Sequence, residues 1–291
     1  MPPLKIKTPA GEPSANFKFR DAYLQIESGA VSDEGQAVRA KWPDGTPAHT
    51  YKTVAYETRY DLSREFPIMT LRKQSFKGAV KETLWIWQKK SNNIHDLGLK
   101  IWDAWADETG SIGKTYGYAA GEEFDFPEGR MDQVDYLLYN LKNNPTSRRM
   151  VVQLLNPAHI KHTKLPPCVM TYLFDVSDGR LNMTVIQRSG DMLAAAGPGG
   201  WDEISAAVLQ LTLADCCGYK PGIMVHLVNN LHIYDRHMPL VKGIVRRGGK
   251  RCEPKVRIEG KHESFYDYKP EDYILEDYEA DAMDGVMEVA V

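Results

Sequence analysis

Val169-Met170-Thr171-Tyr172-Leu173-Phe174-Asp175-Val176, then Ser177-Asp178-Gly179-Arg180, then Leu181-Asn182-Met183-Thr184-Val185-Ile186-Gln187: this stretch decides the fold. Two short runs rich in β-branched and aromatic residues flank an Asp-Gly turn, which reads as a β-hairpin. Strand-like runs recur on either side of it, at Thr50–Tyr56, Met150–Leu155 and Ile223–Val228. Between them the apolar period changes to that of helices. Val80, Leu84 and Trp87 follow Phe76 at helical spacing. Val134, Leu137, Leu138 and Leu141 repeat the pattern until Asn144-Pro145 stops it. Ile204 through Val208 and Leu211 to Cys217 make a third helix, ended by Gly218, a suitable C-cap. Trp42-Pro43-Asp44-Gly45-Thr46-Pro47 is a dense turn signal, and Gly197-Pro198-Gly199-Gly200 forces a loop. Residues 1–40 read as an irregular arm with one short helix, and 41–291 as one domain. No repeat or low-complexity linker divides it, so the fold class is α+β, a single domain with helices packed on a mixed β-sheet core.

The composition narrows the function by exclusion. The 36 basic and 39 acidic residues of the 291 give a net charge of -3, which offers no bulk attraction to nucleic acid or anionic membrane. No window approaches the roughly 18 uninterrupted apolar residues of a membrane span, and the N-terminus has no hydrophobic signal core. A cytoplasmic enzyme or binding protein is expected. Cys168, Cys216, Cys217 and Cys252 lack CxxC spacing and paired histidines, so neither a disulfide scaffold nor a metal site is expected.

Chemistry concentrates where the hairpin begins and ends. Cys168 follows Pro166-Pro167 on a stiff, extended approach to the first strand. The hairpin returns Gln187-Arg188-Ser189-Gly190-Asp191 beside it, and Arg188 near the sulfur favours thiolate, the nucleophilic form. Most single cysteines are inert packing residues, and Cys216-Cys217 within an apolar helix keep that reading. Arg148-Arg149, usually a solvated corner, can instead grip phosphate bidentately. His232 and Tyr234 share one face of a strand. Trp102 and Trp105, at i and i+3, read by default as a core stripe.

Taken together, Leu84-Trp85-Ile86-Trp87-Gln88, Ile101-Trp102-Asp103-Ala104-Trp105, Ser147-Arg148-Arg149, Pro167-Cys168, Gln187-Arg188-Ser189-Gly190-Asp191, His232-Ile233-Tyr234 and Phe265-Tyr266-Asp267-Tyr268 resemble the successive signatures of the thymidylate synthase family. The resemblance runs in order from about Asp44 to Val291, and Asp44-Gly45-Thr46-Pro47-Ala48-His49-Thr50 is similar to the branch found in Bacillus and its phages. It implies a folate-dependent transfer of one carbon from 5,10-methylenetetrahydrofolate to C5 of a deoxypyrimidine 5′-monophosphate. Cys168 matches the nucleophile that adds to C6 and makes C5 nucleophilic. Glu82 matches the glutamate that organises proton transfer through water, and Tyr116 a tyrosine that helps remove the C5 proton. Arg188 and Ser189 match phosphate ligands. Arg148 and Arg149 match a pair reaching the neighbouring subunit's phosphate, which implies a sheet-to-sheet homodimer. His232 and Tyr234 match the pair bonding the sugar 3′-hydroxyl. Asp191, Trp102 and Val291 match groups that hold or close over the folate.

Three departures bear on phosphate and base. The family's loop arginine is absent after Asp44, and Arg39 is the substitute expected. Val169 follows Cys168 where many members carry histidine. Counting back from His232, the base-reading asparagine falls at Asp202, as in the deoxycytidylate hydroxymethylases of the same family. An asparagine amide donates to uracil O4 and accepts from N3–H; an ionised carboxylate only accepts and suits the cytosine amino group. The expectation therefore leans to dCMP, with hydroxymethylation or methylation. The alternatives are thymidylate synthesis from dUMP with Asp202 a helix N-cap, and a catalytically silent nucleotide- or RNA-binding homologue.

Overall fold

The computed structural model describes residues 10–29, 31–283, 285 and 287–290. Its helices are α1 (Ser14–Gly29), α2 (Phe76–Trp87), α3 (Ile94–Leu97), α4 (Tyr116–Ala120), α5 (Gln133–Asn143), α6 (Trp201–Cys217) and α7 (Met238–Arg246). Its strands are β1 (Val31–Ser32), β2 (Thr50–Asp61), β3 (Glu123–Phe126), β4 (Gly129–Asp132), β5 (Val151–Gln153), β6 (Val169–Ser177), β7 (Arg180–Gln187), β8 (Gly190–Asp191), β9 (Lys220–Tyr234), β10 (Lys255–Ile258) and β11 (Tyr273–Glu276). The main sheet runs β1-β2-β9-β7-β6-β5, with β8 added against β9. Because β7 pairs with β9 in parallel while the other neighbours along that path are antiparallel, the sheet is mixed, as expected of an α+β fold.

The hairpin is β6–β7, with Val169 opposite Gln187 and Ser177 opposite Arg180. Asp178 and Gly179 both take positive φ, 52° and 69°, as a tight hairpin turn needs. Along β7 the pattern alternates strictly: Leu181, Met183, Val185 and Gln187 are buried on the helical side. The opposite face stays open, with Val54 65% exposed and the cross-strand pair Val151 and Leu173 at 40% and 36%. Among the described residues, helices cover only one side of the sheet.

Those helices follow local rules. Asp132 caps α5, its carboxylate accepting from the N–H groups of Val134 and Asp135, and Pro145 prevents continuation. Helix α6 is apolar nearly all round, runs through the core, and ends at Gly218 with φ 74°. Helix α2 packs against it and is almost as deeply buried, Glu82 being its only carboxylate. The helix expected in the first forty residues is α1, whose Ala15, Phe19, Ala22, Tyr23 and Ile26 belong to the core. Phe19 and Ala15 lie against the backbone of the 197–200 loop, so α1 supports the segment that leads into α6.

Two strands depart from expectation. The run at 150–155 forms only the short edge strand β5, whereas β9 extends well beyond Ile223–Val228 because both β2 and β7 offer it partners. Just before the expected 197–200 loop, Met192–Ala196 form a single π-helical turn capped by Asp191.

Candidate active site

Strand β7 ends at Gln187; Arg188 and Ser189 leave the sheet, and β8 rejoins it opposite Leu231 and His232. Gly190 is needed there, since a Cβ would lie 2.3 Å from that of Ala196. The detour swings Arg188 back over the start of the hairpin. Its Nε donates to the Pro167 carbonyl (3.0 Å), and Nη2 to the Pro166 carbonyl (2.8 Å) and to Cys168 Sγ (3.5 Å). The paired prolines, lacking N–H groups, thus present carbonyls that aim a guanidinium at the thiol.

Burial pushes the Cys168 thiol up, Arg188 pulls it back, and Asp202 raises it further; the net shift is upward. Arg188 therefore favours thiolate as expected, but offsets only part of the cost of burying the charge. The Cys168 N–H donates to the Tyr116 hydroxyl at 2.8 Å, which places that oxygen beside the Cys168 backbone. Tyr116 itself is held well above its ordinary range, by burial first and then by Cys168 and Asp202.

One cleft gathers Cys168, Arg188, Ser189, Asp191, His232, Tyr234 and Arg39, together with Trp105 and the C-terminal residues Met287–Ala290. His232 and Tyr234 share a face of β9 as expected, their rings 5.2 Å apart and edge to face. Asp191 accepts from the Leu193 N–H at 2.8 Å. Arg39, the expected substitute for the missing loop arginine, does reach this cleft. Val291 lies outside the described residues.

Glu82, Trp102, Tyr116 and Asp202 are not among the residues that line this cleft. The Trp102 indole N–H donates to Glu82 Oε1 at 2.7 Å, and that of Trp201 to Oε2 at 2.5 Å. Burial pushes Glu82 up to about 7 in spite of the two donors. Trp102 and Trp105 stand on a 3₁₀ turn, Lys100–Trp105, that has no buried residue, so the core-stripe reading does not hold.

Asp202 does not cap α6. Gly200 occupies the N-cap, and the Asp202 carboxylate instead accepts from Gln187 Nε2 at 2.8 Å. Gln187 in turn bonds His226 Nε2 (2.8 Å), whose Nδ1 is 3.5 Å from Glu203. Glu203 accepts from Thr58, from the Tyr60 hydroxyl (2.7 Å) and from the Gly199 N–H (2.6 Å). Burial, opposed by His226 and Gln187, leaves Asp202 above the ordinary carboxylate range; Glu203 ends below it because its bonds outweigh burial. Acidic residues in a first turn usually answer the helix dipole, so this network leaves no mark in the residue pattern.

Arg148 and Arg149 stand exposed just before β5, at the edge of the sheet, and are not part of this cleft. Arg236 was not anticipated: it pairs with Asp44 (2.7 Å) and Glu288 (3.3 Å), tying the 42–47 turn to the C-terminal segment. Arg72 was also missed. It is half-buried, donates to the Leu193 carbonyl, and is influenced by Asp191.

Residues 22–291 match the family described as thymidylate synthase. The thymidylate synthase of Bacillus licheniformis is 42% identical over 258 residues, 87% of this chain and 90% of that one. Thymidylate synthase 1 of Bacillus subtilis (strain 168) is 40% identical over 266 residues, 90% of this chain and 94% of its own. That of Bacillus phage phi3T is 39% identical over the same length and shares. The solved thermostable thymidylate synthase A from Bacillus subtilis superposes with a TM-score of 0.86 at 36% identity, covering 95% of this chain and 99% of the other. By that match over residues 22–291 and these identities, the chain belongs to the thymidylate synthase family.

Proposed function

We propose that this one-carbon transferase converts dUMP to dTMP, using 5,10-methylenetetrahydrofolate as co-substrate and releasing dihydrofolate. The observation that carries the reading is Cys168 at the cleft wall, with Arg188 on its sulfur and the Tyr116 hydroxyl on its N–H. Among the described residues Nη1 of Arg188 has no partner, which leaves two N–H donors for an incoming phosphate. Ser189 and Arg39 extend that anion site, while His232 and Tyr234 stand where a sugar hydroxyl would be held.

In this mechanism Cys168 loses its proton and adds to C6, so that C5 becomes nucleophilic. The folate supplies the one-carbon unit and, for a methyl product, the hydride. Tyr116 and Glu82 take the C5 proton away, directly or through water; a carboxyl poised near 7 both accepts and returns protons at neutral pH. Elimination then restores the free thiol. Trp102 and the C-terminal residues that line the cleft exclude water, which favours methyl over hydroxymethyl. Asp191 is the residue proposed to hold the pterin.

The lean to dCMP rested on an aspartate at the base-reading position, as in the deoxycytidylate hydroxymethylases, where an ionised carboxylate suits the cytosine amino group and repels uracil O4. Burial favours the neutral acid instead, and a neutral carboxyl donates through O–H and accepts through C=O much as an amide does. Uracil is then readable. This agrees with the relatives, which are named thymidylate synthases. The dCMP reading stands second, favoured by the same side chain: Gln187 occupies one oxygen as an acceptor, and an ionised second oxygen would suit the cytosine amino group.

The chain is further proposed to act as a homodimer through the open face of its sheet, with Arg148 and Arg149 entering the neighbouring cleft. Mixing Cys168→Ser with Arg149→Ala subunits should restore up to about a quarter of activity, one intact site forming in half of the randomly mixed dimers. The substrate is tested by incubating the protein with methylenetetrahydrofolate and [5-³H]dUMP or [5-³H]dCMP. Tritium release from dUMP with dihydrofolate formation is expected. Release from dCMP alone would replace the first reading by the second, and release from neither would sink both, leaving the silent homologue.

A further inference from the structure

Two indole N–H groups, from separate elements, close on the one carboxylate of α2. Trp102 takes Oε1 from an exposed 3₁₀ turn; Trp201 takes Oε2 from the first turn of the buried helix α6. Space for Trp201 is built into α2. A Cβ on Gly78, one helical turn before Glu82, would lie 2.6 Å from the Trp201 ring, so glycine there lets the indole reach the carboxylate. Trp201 also adjoins Asp202, which links the carboxylate to the base-reading end of α6. Glu82 is 8% exposed, so an unpartnered oxygen would be costly and would turn toward whatever donor remained.

We infer that Trp201 is a positioning residue, whose indole N–H fixes the orientation of the Glu82 carboxylate independently of Trp102. The inference rests on the reading of Glu82 as the group that organises proton transfer. Trp102 is proposed to face the folate as well, so its bond to Glu82 is exposed to change on each cycle. Trp201 has no such second duty and supplies the constant donor.

The test compares wild type, Trp201→Phe and Glu82→Gln by tritium release from C5 across the pH range. Glu82→Gln should abolish one limb of the kcat profile, which identifies the limb governed by Glu82. Removing a donor to the ionised carboxylate disfavours that form, so in Trp201→Phe the same limb should move upward by about half a unit or more. Turnover should fall about tenfold with KM changed less than about twofold, since the interaction is not with substrate. Should phenylalanine unfold the protein, 3-benzothienylalanine at position 201 keeps the bicyclic shape while removing the N–H, and the same shift is expected. A folded variant whose limb stays in place, while Glu82→Gln removes it, overturns the role of Trp201. If Glu82→Gln leaves both limbs and turnover intact, the reading of Glu82 itself has failed, and the inference with it.

Discussion

The floor and the rim of the cleft are built on opposite physical terms. Below, Asp202, Gln187, His226, Glu203 and Thr58 form a continuous chain of polar contacts, all but Asp202 buried, and Glu82 sits between two indoles. Above, Arg236, Asp44 and Glu288 are 41%, 52% and 50% exposed and meet through ion pairs. Burial makes each floor contact costly to break and shifts carboxyl groups by their surroundings. Solvent screens the rim, so its contacts contribute little to stability yet can still hold a segment in place.

The comparison predicts the largest effects at the floor. Cys168→Ser should lower tritium release by about three orders of magnitude or more while leaving thermal unfolding nearly unchanged, because one atom is exchanged in a cleft wall. A variant that kept a tenth of its turnover would remove Cys168 as nucleophile. Glu203→Ala should act on folding instead. It strips the Thr58 and Tyr60 hydroxyls and the Gly199 N–H of their acceptor and leaves His226 without its anion. The cost should be about 3–5 kcal/mol, read by denaturant titration. Less than about 1 kcal/mol would mean the floor is no more coupled than the rim.

The sheet was largely legible because period-two patterning and Asp178-Gly179 speak to nearest neighbours. Helices α2, α5 and α6 were legible for the corresponding reason at the 3.6 period. That Cys168, Arg188, His232 and Tyr234 line one cleft was legible from the family resemblance and from the hairpin, which sets Cys168 beside Arg188. Trp201 and Glu203 were not, since their partners are Glu82 and Thr58, far off in the chain and brought together only when α2, α6 and β2 pack. The same limit applies to Asp202. Its identity could be read from the sequence, but its protonation depends on burial and on Gln187 and His226.

That protonation gives a pH test of the floor. Asp202 lies above the ordinary carboxylate range, so its neutral form persists to higher pH than in an exposed aspartate and is lost as pH rises. The neutral acid serves either base, whereas the ionised form repels uracil O4 and still accepts from the cytosine amino group. The ratio of kcat/KM for dCMP to that for dUMP should therefore rise with pH, by about tenfold across the titration. Asp202→Asn should flatten the ratio and favour dUMP at every pH. A wild-type ratio independent of pH would mean that Asp202 does not touch the base.

The smallest effect is expected at the rim, where it also has a distinct signature. Arg236 donates to Asp44 and to the Thr46 hydroxyl, reaches Glu288, and lies over the Trp42 ring at 5.0 Å. Next to it His237 Nε2 donates to the Glu288 carbonyl at 2.9 Å, so Glu288 is held at both side chain and backbone. Arg236→Ala removes the first hold and leaves the second. The C-terminal segment should then close less often over a bound folate, raising the folate KM by about two- to fivefold with kcat changed little. The unfolding midpoint should hardly move, because exposed ion pairs add little to stability. Added salt should raise the folate KM of wild type toward that of the variant, since it screens the pairs the substitution deletes, and should affect the variant much less. If Arg236→Ala instead lowered stability as Glu203→Ala is expected to, the rim would be part of the folded core and the contrast between the two regions would be lost.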